Sequence, residues 1–390
     1  MLRIFEEIVD LDLPLGSGIH TLIAQIPNNL KLEGRLYKLQ DPKSQFELIR
    51  SVLELAADHA ESEQIHLILF PESSVPNSHL GQITEIVEEK LPGNTVVIFG
   101  LEHIMLSQFA ALLEHYMDEE NEFIEQFKQD MSMEDVAKPV NSCVTIIKER
   151  KGRLRYFFTA KTHPFAGEES VDHISDLYRG KALFLFRCAP VTFNFMPLIC
   201  FDYVYRDSDH SNIMAIMEKA NDLYFQQKQQ LDMLAVIQCN PKPEHKVFRD
   251  VATGFYGEYL FKSPGVRDAI TVFVNSSAET LLEGTKGKNT FGHSSIVCGI
   301  KHKLPRIKLS EFRTDDFFGS PVSRLRFSSG TRLYFCKLFP HHETDPRSSR
   351  AMVKVTGVYL ISSENEWERI SGDDLLMGIR DDESDSIYFY

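Results

Sequence analysis

Short, continuous apolar runs that end in polar residues, alternating with segments of helical periodicity, constrain this 390-residue chain more than any other feature. GIHTLIAQIP (18–27) reads as a strand running to Pro27, with Asn28-Asn29 as its exit turn. From Asp41, DPKSQFELIRSVLELAADHAESE reads as a helix. Asp41 is its N-cap, Pro42 stands at N1, and Phe46, Ile49, Leu53 and Ala56 lie on one face. IHLILF (65–70) is apolar throughout, as in a strand covered on both faces. LGQITEIVEEKLPG then reads as a helix with Gly93 near its end, and TVVIFG (95–100) as the next strand. This alternation of strand and helix predicts α/β layering rather than separate all-α and all-β parts.

Residues 107–138 interrupt the rhythm with an acidic, helical-looking insertion, read as a solvated amphipathic segment or, more sharply, as a lid or partner surface. SCVTIIKERKGRLRYFFTAK predicts a β-hairpin turning near Lys151-Gly152. KALFLFRC, VTFNFMPLIC, LDMLAVIQCN (231–240), AITVFVNSS and HSSIVCGI supply further strands. SNIMAIMEKANDLYFQQKQQ and VFRDVATGFYGEYLFKS supply helices. The expected organisation is one domain over 1–305 and a C-terminal extension over 306–390, packed on it or on a partner subunit. RLYFCKLF and MVKVTGVYLIS read as strands in the extension, which ends in an acidic tail.

The net charge of -14, with no concentrated basic stretch, argues against nucleic acid as a partner. The six cysteines show no CxxC spacing and mostly sit in apolar runs, as buried thiols in a reducing compartment do. The first residues, MLRIFEEIVDLDLPLG, lack the basic region of a signal peptide, and no apolar run reaches membrane-span length, so the expectation is a cytoplasmic chain without membrane association. No His, Cys or Asp cluster has metal-ligand spacing, and no cofactor is expected. The loop EGTKGKNTFG lacks the GxxxxGK[ST] spacing of a phosphate cradle and reads as a connection between strands. His341-His342 reads as a surface pair, and Glu258 as a carboxylate without a specific signal.

Three strand-like runs end near different reactive residues: LILFPESSVP with Glu72, RYFFTAKTHPFAGEE with Lys161, and FMPLICFDY with Cys200. Singly, each has an ordinary explanation: a turn carboxylate, a surface lysine, a core thiol. Together they are the parts for thiolate attack on an amide-like carbon. The carboxylate takes the thiol proton, and the ammonium holds the charge that develops on oxygen. Strand ends in α/β folds are also where side chains meet ligands. His163 fits a structural hydrogen bond as well as a catalytic role.

With AQIP, LILFPES, KTHPFAGEE, PLICFDY, and VFVNSS followed by FGHSSI in this order over about 18–300, the chain resembles the nitrilase, or carbon–nitrogen hydrolase, superfamily. The resemblance implies a four-layer α-β-β-α sandwich and a triad with Glu72 as general base, Lys161 as oxyanion-holding cation and Cys200 as nucleophile. It also implies the Phe201 amide as a second oxyanion donor and a further glutamate after the lysine, either Glu168 or Glu169, with Glu169 favoured. Asn275 and Ser294 match positions that shape the pocket loops. The chain departs from the family in its long Glu72–Lys161 and Lys161–Cys200 intervals. It also lacks Pro-Glu after the cysteine, and the segment after Asn240 differs. The expected function is hydrolysis of a small amide, less readily a nitrile, through a thioester. Acyl transfer is the nearest enzymatic alternative. A non-hydrolytic scaffold or effector subunit of a larger assembly, such as a bacterial defence system, is the rival from another class. The resemblance further implies a homodimer or larger homo-oligomer.

Overall fold

The structure is a computed structural model that describes residues 2–60, 63–118, 121–131, 134–164, 177–203, 205–206, 211–224, 226–227, 229–243, 263–266, 269–283, 290–299, 312–316, 322–340, 353–362 and 366–370. The expected helix after His245, most of the EGTKGKNTFG loop, Glu168, Glu169, Glu258, His341-His342 and the acidic tail lie outside these residues.

The chain forms an α/β fold with two mixed eight-stranded sheets. The first is built around β2 (Ile19–Gln25), β5 (Leu67–Leu69) and β6 (Thr95–Met105), which run parallel. It continues antiparallel through β7 (Pro139–Lys148) to β8 (Leu154–Ala160). On the other side of β2 lie β16 (Arg332–Leu338), β17 (Val353–Ile361) and β18 (Trp367–Arg369), all antiparallel. The β7–β8 hairpin closes where the sequence predicts: Glu149 N–H donates to Arg153 O (2.8 Å), and Gly152 sits at φ +87°.

The second sheet has β10 (Asn194–Ile199), β11 (Met233–Gln238) and β12 (Ile270–Asn275) as its parallel centre. β9 (Ala182–Pro190) joins β10 antiparallel, and β1 (Arg3–Leu11) is the parallel edge strand beside β9. β13 (Ser295–Gly299), β15 (Val322–Phe327) and β14 (Phe312–Asp316) complete the other side. Pro197 has no amide hydrogen, yet it lies in central β10. The pairing with β9 ends at Phe195, and Pro197 is paired only with Ala235 of β11. A separate hairpin, β3 (Leu30–Glu33) with β4 (Leu36–Leu39), stands outside both sheets.

Strand alternation places the core. In the second sheet Phe184, Phe186, Phe195, Ile199, Ala235 and Ile237 belong to one large cluster with the first sheet. Leu183, Leu185, Met196, Leu198, Leu234 and Val236 point the other way, onto Ile213, Ile216 and Ala220 of α5 (Asn212–Tyr224). Helices α1 (Pro42–His59) and α2 (Leu80–Lys90) bury their apolar faces in the large cluster. Asp41 caps α1 by accepting from Ser44 N–H at 3.0 Å, a cap worth about 1 kcal/mol. Lys148 closes α2 at its other end, donating from Nζ to the carbonyls of Val87, Glu88 and Leu91.

The interrupting segment forms α3 (Leu106–Tyr116) and α4 (Glu122–Met131). Glu114, Glu122 and Glu125 are exposed, but Phe109, Phe123 and Phe127 are buried. Phe123 meets Phe5 and Phe184 edge-on, so α4 seals the second sheet near its β1 edge. Among the described residues no helix is long and apolar enough to cross a membrane.

Candidate functional site

The parallel strands β5, β6, β10, β11 and β12 deliver their C-terminal ends to one end of the two sheets. Antiparallel β8 ends there too, because β7 begins there: Ser142 pairs with both Leu101 and Ala160. Sequence-distant residues therefore converge.

Glu72 follows β5 in a turn that lies on β6. Gly100 N–H donates to Pro71 O (3.1 Å), and Val75 N–H donates to Gly100 O (3.0 Å). Ser73 adopts φ +56°. A Cβ on Gly100 would fall 2.3 Å from Ser73 N and 2.6 Å from Glu72 Cα, so only glycine allows this approach. Gln45 of α1 donates to Ser74 O (3.0 Å), and Asn28 donates to Glu72 O (2.7 Å), fixing the turn from two more sides.

The Glu72 carboxylate is buried and receives three donors. Oε1 accepts from Lys161 Nζ at 2.9 Å and Asn141 Nδ2 at 2.7 Å; Oε2 accepts from the Cys239 amide at 2.9 Å. The Glu72 and Lys161 side chains are only 5% and 2% exposed. Burying such a pair is costly unless the remaining lone pairs are satisfied, and here Asn141 and Cys239 supply those bonds. Lys161 itself is held by backbone: its N–H donates to Asn141 O, and its carbonyl accepts from Gly180 N–H, both at 2.8 Å. A Cβ on Gly180 would fall 2.0 Å from Ala160 O.

Cys200 ends β10 and opens a 3-10 turn, Cys200–Tyr203, at φ +44°. This left-handed conformation costs a non-glycine residue about 1–3 kcal/mol and recurs at functional turns. It also breaks alternation, so Ile199 and Cys200 both belong to the inter-sheet cluster, with Cys200 9% exposed. The parallel pair Ile199–Ile237 places Cys200 beside Gln238, one residue before the Cys239 amide that donates to Glu72.

Asp202, in the same turn, is fully buried. Its Oδ1 accepts from Thr162 N–H (3.0 Å), Thr162 Oγ1 (2.8 Å) and His163 N–H (3.2 Å); Oδ2 also accepts from Thr162 N–H (3.1 Å). Burial pushes its carboxyl up to about 7, against the opposing pull of the Lys161 charge and these hydrogen bonds.

His163 stacks on Tyr205, and its Nδ1 lies 2.9 Å from Thr162 Oγ1. Phe201 meets Tyr205 edge-on. Asn275 ties two loops together: its Nδ2 donates to Asn240 O and Gly292 O, and its Oδ1 accepts from Asn240 N–H. Ser294 Oγ accepts from Asn275 N–H (2.9 Å). Leu30, Tyr37, Leu39 and Leu177 form an apolar wall that contacts Leu282 and Cys239, whose amide donates to Glu72. Asn141, Asp202 and the Cys239 amide have no place in the sequence reading, and Asn28 enters it only as an exit turn. The available signal was isolated polar residues in apolar runs, Asn141 in PVNSCV and Asp202 in LICFDY. Among the described residues no group of three His, Cys, Asp or Glu could hold a metal ion.

Fold and site thus define an α/β protein of two mixed sheets with a buried carboxylate–ammonium pair at the strand ends. No protein-family model matches the chain, and no curated protein matches it. Among solved structures it is similar to the glutamine-dependent NAD+ synthetase from Acinetobacter baumannii in complex with adenosine diphosphate. The identity is 14% and the TM-score 0.44, over 82% of this chain and 45% of that one. The chain thus spans less than half the length of that protein.

Proposed function

We propose that this chain is a nitrilase-type hydrolase of non-peptide carbon–nitrogen bonds, with the two sheets and their outer helices as a four-layer α-β-β-α sandwich and a small amide as substrate. The observation that carries the reading is the buried Glu72–Lys161 pair at 2.9 Å, with Cys200 held left-handed at the adjoining strand end.

Glu72 takes the Cys200 proton as sulfur attacks the carbonyl carbon. Lys161 Nζ and the Phe201 amide hold the resulting oxyanion. As the C–N bond breaks, the proton passes from Glu72 to the leaving nitrogen, which departs as ammonia or an amine. Water then gives a proton to Glu72 and attacks the thioester. The C–S bond breaks, the acid is released, and the proton returns to the thiolate. The apolar wall around Tyr37 and Leu177 suits an uncharged acyl group.

The test is intact-mass spectrometry of wild type and Cys200→Ala after incubation with acetamide, butyramide, benzamide, butyronitrile and iodoacetamide. Burial pushes the thiols of Cys143, Cys188, Cys298 and Cys336 up, so these four should stay unmodified. The expected result is an adduct mapped to Cys200 and absent from the variant. A folded wild type in which Cys200 resists every reagent would sink the reading.

A further inference from the structure

We infer that Asp202 is a positioning residue of the proposed reaction, one that locks the oxyanion-holding Lys161 against the turn bearing Cys200; the inference rests on the functional reading above. Lys161 and Cys200 come from different sheets, and nothing in either strand's own ladder fixes the distance between them. Asp202 bridges that gap. It stands two residues after Cys200 and takes the amide hydrogens of Thr162 and His163, the two residues after Lys161. Thr162 Oγ1 donates to the same carboxylate.

Asn212, from α5, closes the unit: its Nδ2 donates to Thr162 Oγ1 at 2.8 Å and to Asp202 O at 3.0 Å. The nucleophile turn, the segment after the lysine and the start of α5 are therefore one hydrogen-bonded block. Asp202 and Thr162 are 0% and 1% exposed, so water cannot replace these bonds without opening the core. Neither carboxylate oxygen of Asp202 needs to touch substrate for this role.

The chemistry separates positioning from folding. Alkylation by iodoacetamide requires a reactive thiolate but builds no oxyanion. Acetylation by p-nitrophenyl acetate requires both: the thiolate attacks the ester carbon, an oxyanion forms, and p-nitrophenolate leaves as the thioester is made. A displaced Lys161 should therefore slow acetylation and spare alkylation.

Asp202→Asn is isosteric, but its amide nitrogen would face the Thr162 N–H wherever it occupied the Oδ2 position. Thr162→Val removes the hydroxyl bonds to Asp202 and Asn212 and keeps the Thr162 N–H bond. In Asp202→Asn, acetylation of Cys200 is expected to fall about 100-fold, the scale of an ångström-sized misplacement, with alkylation within about threefold of wild type. Thr162→Val is expected to lose roughly tenfold in acetylation on the same logic. Should Asp202→Asn fail to fold by circular dichroism, Thr162→Val alone decides. An unchanged ratio of acetylation to alkylation in the folded variants would overturn the inference, whether both rates held or both fell together. A wild type that neither reagent modifies at Cys200 would instead remove the functional reading on which the inference stands.

Discussion

Gly100→Ala tests the geometry that sets Glu72 in place without touching any group proposed to react. The new methyl would meet Ser73 N at 2.3 Å, Glu72 Cα at 2.6 Å and Glu72 C at 2.8 Å. All three are backbone atoms, so no side chain can swing away. The turn is also pinned to β6 on both sides of the clash, by Gly100 N–H to Pro71 O and by Val75 N–H to Gly100 O. Relief requires the Glu72 backbone to move by about an ångström, as overpacking forces elsewhere in close-packed interiors, at about 1–3 kcal/mol. For a chain of this length that is a fall in Tm of roughly 1–4 °C, using the usual unfolding entropy per residue. The catalytic consequence is larger than the thermal one. A carboxylate displaced by an ångström leaves the 2.9 Å contact with Lys161, and acetylation of Cys200 by p-nitrophenyl acetate should drop about 100-fold. Differential scanning fluorimetry and the p-nitrophenolate burst measure the two quantities on one sample. A variant with wild-type Tm and wild-type burst would refute the argument that this turn needs glycine beneath it.

Two further perturbations read the electrostatics. Lys161→Met should destabilise by about 3–5 kcal/mol, because it strands a buried carboxylate with only Asn141 and the Cys239 amide, whereas Glu72→Gln/Lys161→Met should recover much of that loss; urea titration of the set decides, and a double variant no more stable than Lys161→Met would refute the pairing. His66 is held neutral by burial, its imidazole pulled down from 6.5 to about 4, with Nδ1 accepting from His20 N–H at 3.3 Å. Its contribution is complete above pH 6.5 and is lost as pH falls toward 4, up to about 3 kcal/mol at 1.36 kcal/mol per unit. His66→Asn keeps an acceptor in place and cannot titrate, so its Tm should fall less steeply than wild type between pH 6.5 and 4; parallel curves would show that His66 does not carry the acid sensitivity.

What could be read from sequence was whatever is decided locally. Asp41 before Pro42 gave the α1 start because a cap needs only its own first turn, and Lys151-Gly152 gave the hairpin because a turn needs only its own φ. β1 escaped because Glu6, Glu7 and Asp10 break up the apolar run of RIFEEIVDL. Its charges are answered by Arg155 against Glu7 and Arg187 against Glu6, residues brought close only by the fold. β16 looks like any late strand, yet it pairs along the whole of β2, and no local signal sets a register between residue 19 and residue 338.

The same division runs through the candidate site. Glu72, Lys161 and Cys200 were visible because each follows an apolar run, and a reactive residue at a strand end needs only that run to be noticed. Asn141 was not, because it lies near the start of its strand rather than the end. Antiparallel β7 begins where β6 and β8 finish, and this reversal brings the Asn141 amide 2.7 Å from Glu72. Strand direction, which single-strand periodicity does not encode, therefore determines which polar residues can join the site.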